Sequence, residues 1–150
     1  MVTGDRAASL VVVSGRTHAQ LEAIFGEVEA PFAFVDLDAM WENSDAMLGR
    51  GGGKPIRVAS KSIRCRALLE RILARDERYA GLMTFTLAET LWLAESGFED
   101  LLLAYPTTDA EALGELALRS VANPAGAPIV MVDCVEHLET IESVLGPGAA

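Results

Sequence analysis

An α/β fold with a parallel sheet is predicted by three features of this 150-residue chain. From residue 56 onward, short apolar runs alternate four times with amphipathic segments: IRVAS, SIRCRALLERILARDE, AGLMTF, LAETLWLAESG, DLLLAYP, DAEALGELALRSVA, PIVMVD and VEHLETIESVLG. The runs are continuously apolar, as expected of strands covered on both faces, and each amphipathic segment supplies the crossover that parallel strands need. Three junctions carry the spacing of a capping box: Thr86 with Glu89, Thr108 with Glu111, and Asp133 with Glu136.

The elements follow in order. In MVTGDRAASLVVVSG the apolar part is too brief for a membrane span, and Asp5 before it is unlike a signal peptide. The expectation is a short strand or loosely packed lead-in, in a cytoplasmic protein. Residues 17–27 have the pattern of a short amphipathic helix before Pro31, and PFAFVDLDAMWENSDAMLG reads as a strand, a turn and a helix with Met40, Met47 and Leu48 at helical spacing. GRGGGKP is a loop, since three successive glycines weaken any regular element. In the first helix of the repeats Cys65, Leu68, Leu69 and Ile72 share a face, while Gly97 and Gly146 sit where helices stop. No linker divides the chain. Four strand–helix units fit either an open doubly wound sheet or one half of an eight-fold barrel, which needs about 250 residues when complete. Periodicity alone leaves both open.

Composition removes several functions. Acidic residues outnumber basic ones 22 to 12 with no basic stripe, which excludes a nucleic-acid backbone or an anionic membrane as partner. Cys65 and Cys134, far apart in apolar periodic segments, are expected as buried thiols in a reducing cytosol. His18 and His137 are the only histidines, so a histidine-rich metal site is excluded and no metal ligand is assigned. A P-loop fails, because Gly53 and Lys54 are followed by Pro55 and Leu48 stands where the first glycine belongs. No strand end carries the spaced glycines of a dinucleotide fingerprint.

Lys61 is the sharpest candidate. It closes RVASK at the carboxyl end of a strand, where chemistry collects in parallel α/β architectures, and a partly desolvated lysine there can attack a carbonyl to form a Schiff base. The plainer alternative is a lysine that snorkels to solvent. The other strand ends offer Thr84 and Thr86, Tyr105, and Asp133, though Thr86 and Asp133 already serve as caps and Tyr105 can simply pack its ring. Trp41 and Trp92 are expected as packing residues. Asp36 and Asp38 form a possible carboxylate pair that a helix N-terminus also explains for Asp38.

PFAFVDLDAMWEN, then IRVASKS, then GLMTFTLAETLWLAESGFEDLLLAYP, together resemble the N-terminal half of the barrel domain of alanine racemase-like, fold type III pyridoxal-phosphate enzymes. The closest branch is that of D-threonine aldolase, D-serine dehydratase and amino acid deaminase/aldolase. The likeness implies a lead-in over 1–30 and a partial TIM-type (β/α)8 barrel domain over 31–150. It implies that Lys61 holds pyridoxal 5'-phosphate as an internal aldimine, with Arg57, Thr84, Tyr105 and Asp133 as further cofactor-binding positions. Departures stand beside it: Ala59 replaces a histidine common two residues before the lysine, and Ser62-Ile63-Arg64 follows it in place of the residues typical of the aldolases. The implied function is a lyase, aldolase or deaminase, acting on D-amino or β-hydroxy amino acids. An amino acid racemase and a non-catalytic pyridoxal-phosphate homeostasis protein are the alternatives. Such relatives carry late-strand phosphate loops and a C-terminal β-domain with a divalent metal site, so the expectation is an N-terminal fragment of a protein that is a homodimer when intact.

Overall fold

The computed structural model describes residues 16–146, so the expected lead-in strand SLVVVS lies outside the described residues. The chain divides into two compact units, Met1–Gly53 and Lys54–Ala150. The division falls inside the glycine loop, between Gly53 and Lys54.

In the first unit Thr17 caps helix α1 (His18–Phe25) reciprocally: its hydroxyl accepts from the Gln20 N–H, and Gln20 Oε1 accepts from the Thr17 N–H at 2.7 Å. The strand expected in PFAFV does not form. Residues 32–36 carry no strand, and Phe34 stacks on Phe25 with ring centroids 4.5 Å apart while Phe32 lies 5.5 Å from the same ring. Aromatic packing on a local helix thus takes the place of backbone pairing. Asp36 then caps α2 (Leu37–Arg50), accepting from the N–H groups of Asp38 and Ala39. Arg16 pairs with both Asp36 (2.9 Å) and Asp38 (2.7 Å), so the carboxylate pair is accounted for by a helix start. Of the apolar set expected on this helix, Leu48 is buried but Met47 is exposed.

The second unit holds a four-stranded parallel sheet: β1 (Ile56–Ala59), β2 (Tyr79–Thr84), β3 (Leu101–Leu103) and β4 (Ile129–Val130), in the order β1-β2-β3-β4. Between and after them run α3 (Ser60–Ile63), α4 (Arg66–Leu73), α5 (Leu87–Glu95), α6 (Ala110–Ala122) and α7 (Val135–Leu145). Crossovers between parallel strands are right-handed almost without exception, so a consecutive order sends successive helices to the same face. Among the described residues the order contains no reversal and hence no switch point of the doubly wound kind. Leu103 is fully buried against Leu87 and Leu91 of α5 and Leu113 and Leu116 of α6. Each fully buried leucine of this kind contributes about 2 kcal/mol. The opposite face is only half covered, at Ala59, Met83 and Leu102. The continuous apolar runs had implied cover on both faces.

The first helix of the repeats is split. Arg64 adopts a left-handed backbone (φ 47°) that closes the single turn α3, with its N–H on the Ser60 carbonyl at 2.8 Å. Cys65 becomes the N-cap of α4 and is exposed, so it does not share the buried face of Leu69 and Ile72. Cys134 is exposed as well, and both thiols correct the expectation of burial. Two caps also move: Asp109, not Thr108, accepts from the Ala112 N–H (3.1 Å), and Cys134, not Asp133, precedes α7. Gly97 and Gly146 do end their helices with positive φ.

Three strands are tied together at Gly81. The Arg57 guanidinium crosses β2 at that residue to reach the Asp100 carbonyl and, at 2.7 Å, the Asp100 carboxylate. A Cβ at Gly81 would stand 2.1 Å from the Asp100 carbonyl oxygen and 2.7 Å from Arg57, and φ is +72°. The β1–β2 register shift between Ile56 and Val58 lies opposite this point. Gly81→Ala is expected to lower stability by more than the about 1–2 kcal/mol of a left-handed backbone alone, because strand backbone must also move; the urea midpoint measures it.

The turn into β2 carries a second local clamp. Asp76 accepts from the Arg78 backbone N–H (3.0 Å), Nε (2.8 Å) and Nη2 (2.7 Å). Side-chain hydrogen bonding to Arg78 is the largest cause that lowers the Asp76 carboxyl from 3.8 to about 2, and the Arg78 guanidinium is raised in return. A depressed folded-state carboxyl stabilises above its unfolded value and loses that contribution as pH falls through the folded one. The stability difference between the parent and Asp76→Asn is therefore expected to hold from neutral pH down to about 4 and to close on approaching about pH 2, as read by urea titrations at each pH.

Candidate functional site

Three strand ends converge on one amine. Lys61 lies in the single turn α3, two residues past the last residue of β1, and is half-buried. Its Nζ contacts the hydroxyl of Tyr105, which follows β3, and stands 4.6 Å from that ring's centroid. The short contact to oxygen places the amine at the phenol end of Tyr105 and not over the ring face. Phe85, following β2, has its centroid 5.8 Å from the amine and meets Tyr105 edge-on with centroids 5.0 Å apart. Two aromatic rings, one of them a phenol, thus flank the amine, removing part of its water while leaving a hydrogen-bond partner.

The supports of this cluster come from α5. Ser60, only 1% exposed, donates from Oγ to Glu89 Oε1 at 2.8 Å with the Met83 carbonyl 3.3 Å away. The other oxygen of Glu89 accepts from the Phe85 N–H at 3.1 Å. One carboxylate therefore fixes the residue before Lys61 and the residue bearing the aromatic ring beside it. Thr86 caps α5 as its spacing predicts, accepting from the Glu89 N–H at 3.1 Å. Glu89 does not close the box on the Thr86 N–H, because its carboxylate is spent on Ser60 and Phe85. Phe85, Ser60 and Glu89 escaped the sequence reading; Glu89 had a signal, but its spacing was that of a cap.

The other expected positions are employed elsewhere. Arg57 is engaged with Asp100 at the amino end of β3. Thr84 is fully buried, its Oγ1 2.6 Å from Thr90 Oγ1 and 3.2 Å from the Leu102 carbonyl, so its hydroxyl ties β2 to α5 and β3. Asp133 faces His137, with Oδ1 2.8 Å from Nδ1, and Cys134 Sγ lies 3.3 Å from the same nitrogen. The Glu136 carboxyl is held below the usual range, first by its own backbone N–H and then by the Cys134 thiol. Asp133, Cys134 and His137 offer three ligand atoms within 4.8 Å of one another, a grouping the scarcity of histidines hid; its signal is the stretch DCVEH. Trp92 is 52% exposed and so is not the packing residue expected.

No family model, curated protein or solved structure matches the chain. Among the described residues no helix is long and apolar enough to cross a membrane.

Replacing Thr84 by valine keeps the volume and removes one buried hydroxyl that bridges Thr90 and Leu102. The expected result is a loss of about 1–2 kcal/mol in the urea-extrapolated stability, with the reactivity of Lys61 toward aldehydes unchanged.

Proposed function

We propose that this chain carries the cofactor lysine of a pyridoxal-phosphate-dependent amino acid lyase acting on D-amino or β-hydroxy amino acids, its sheet forming the first half of a (β/α)8 barrel. The observation that carries the reading is the convergence of the ends of β1, β2 and β3 on the Lys61 amine, through Phe85 and Tyr105. Its support in the fold is the consecutive parallel order, which puts all strand carboxyl ends, where barrel chemistry collects, along one side.

The donor set fits an aldehyde cofactor. A primary amine packed beside aromatic rings is a carbonyl nucleophile, and a phenol in contact with it can pass it a proton or take one. Bound pyridoxal phosphate supplies an electron sink for the bond broken at the substrate α-carbon. Of the chain's own residues, Lys61 would hold the cofactor and would hold a proton near the substrate α-carbon. Tyr105 fixes the direction of the amine, and Phe85 excludes water from one side of it. Ser60 and Glu89 hold Lys61 and Phe85 in register. Thr84, with its hydroxyl committed to Thr90 and Leu102, has no part in this reading.

Only two lysines occur in the sequence, Lys54 and Lys61, and Lys54 is exposed, which gives the test an internal control. After incubation with pyridoxal phosphate and borohydride reduction, peptide mapping is expected to place the label on Lys61 in preference to Lys54, and Lys61→Ala is expected to lose it. Equal labelling of the two lysines in the folded chain would sink the reading. Release of an aldehyde or ammonia from D-threonine or D-serine separates the lyase from a racemase, which yields only the opposite enantiomer.

A further inference from the structure

We propose that Asp133, Cys134 and His137 form a zinc site with three protein ligands and an open position. The site lies between the end of β4 and the first turn of α7, and the Lys61 chemistry plays no part in the inference. The three residues are exposed or half-exposed, so a metal ion can reach them from solvent.

The geometry already has a centre. His137 Nδ1 is the common neighbour of Asp133 Oδ1 at 2.8 Å and of Cys134 Sγ at 3.3 Å, and all three ligand atoms fall within 4.8 Å. In a tetrahedral zinc site, with zinc–nitrogen and zinc–oxygen bonds of about 2.0–2.2 Å and a zinc–sulfur bond of about 2.3 Å, ligand atoms stand roughly 3.3–3.6 Å apart. Small side-chain rotations reach that arrangement.

The start of α7 produces the cluster. Cys134 is its extended N-cap residue, Asp133 precedes it and His137 stands in the first turn, so the entry into the helix brings the two preceding side chains to the imidazole. An Asp–His pair at this spacing needs no cysteine. Cys134 occupies the N-cap of α7, yet its side chain makes no capping hydrogen bond and faces the imidazole instead. Sulfur, imidazole nitrogen and carboxylate oxygen together select zinc over magnesium or calcium, which prefer oxygen throughout. The thiolate and carboxylate bring two negative charges, which offset the positive end of the α7 dipole and favour a dication.

The test uses the whole chain, stripped with a chelator, and Zn²⁺ or Co²⁺ alone as the probe. One equivalent of Zn²⁺ is expected by competition with a chromophoric chelator, and Co²⁺ is expected to give a thiolate-to-metal charge-transfer band. Cys134→Ser should abolish the band. His137→Gln and Asp133→Asn should each weaken Zn²⁺ binding by at least the roughly tenfold that loss of a mere outer-shell partner costs. Cys65→Ser should leave band and affinity unchanged. Absence of the band in the folded parent chain overturns the proposal, as does a band lost with Cys65→Ser or Zn²⁺ affinity unaltered in His137→Gln. The parent and the Cys65 variant decide the matter even where a site variant folds poorly.

Discussion

All four strands run in one direction, and much of the second unit follows from that. A parallel strand cannot return through a tight turn, so the chain must cross back over the sheet each time, and the crossing is where α4, α5 and α6 arise. A uniform direction also gathers every carboxyl end at one edge and every amino end at the other. Lys61, Phe85 and Tyr105 share an edge for this reason alone, although they lie as many as 44 positions apart in sequence. The Arg57–Asp100 strap over Gly81 works toward the other end, near the start of β3.

The two ends divide labour in chemical terms. At the amino end the charged groups satisfy each other: Arg57 with Asp100, and in the turn before β2, Arg78 with Asp76. At the carboxyl end the amine of Lys61 has the phenol of Tyr105 and the ring of Phe85 around it. Glu89 stands nearby, but Ser60 and the Phe85 N–H occupy its oxygens. The carboxylate organises the neighbourhood of the amine through these two contacts.

The sheet was legible because strand and helix periodicities differ and each persists over enough residues to be read. Thr86, Gly97 and Gly146 were legible for the same reason, since caps act within one turn. What escaped depended on partners distant in sequence or on competition between neighbours. PFAFV has the composition of a strand, but Phe25 drew Phe32 and Phe34 into ring contacts and no strand paired with it. Thr84 sits at a strand end, yet the alternation along β2 turns it toward α5 and Thr90. Asp109 displaced Thr108 by a shift of one residue, a margin within which cap signals in a row of polar residues are not resolved by spacing. Cys134 was read as an interior residue of an apolar segment, whereas it stands at the helix boundary, where a side chain has solvent on one side.

Each compact unit contains one of the two tryptophans, Trp41 in the first and Trp92 in the second. Trp41 is half-buried within α2 and Trp92 is largely open to water on α5. The intrinsic fluorescence of the protein is therefore a sum of two signals with different surroundings and different quencher access. Exchanging either indole for phenylalanine leaves a reporter confined to a single unit. Emission then distinguishes a chain that melts as one cooperative body from one whose halves come apart at separate denaturant concentrations.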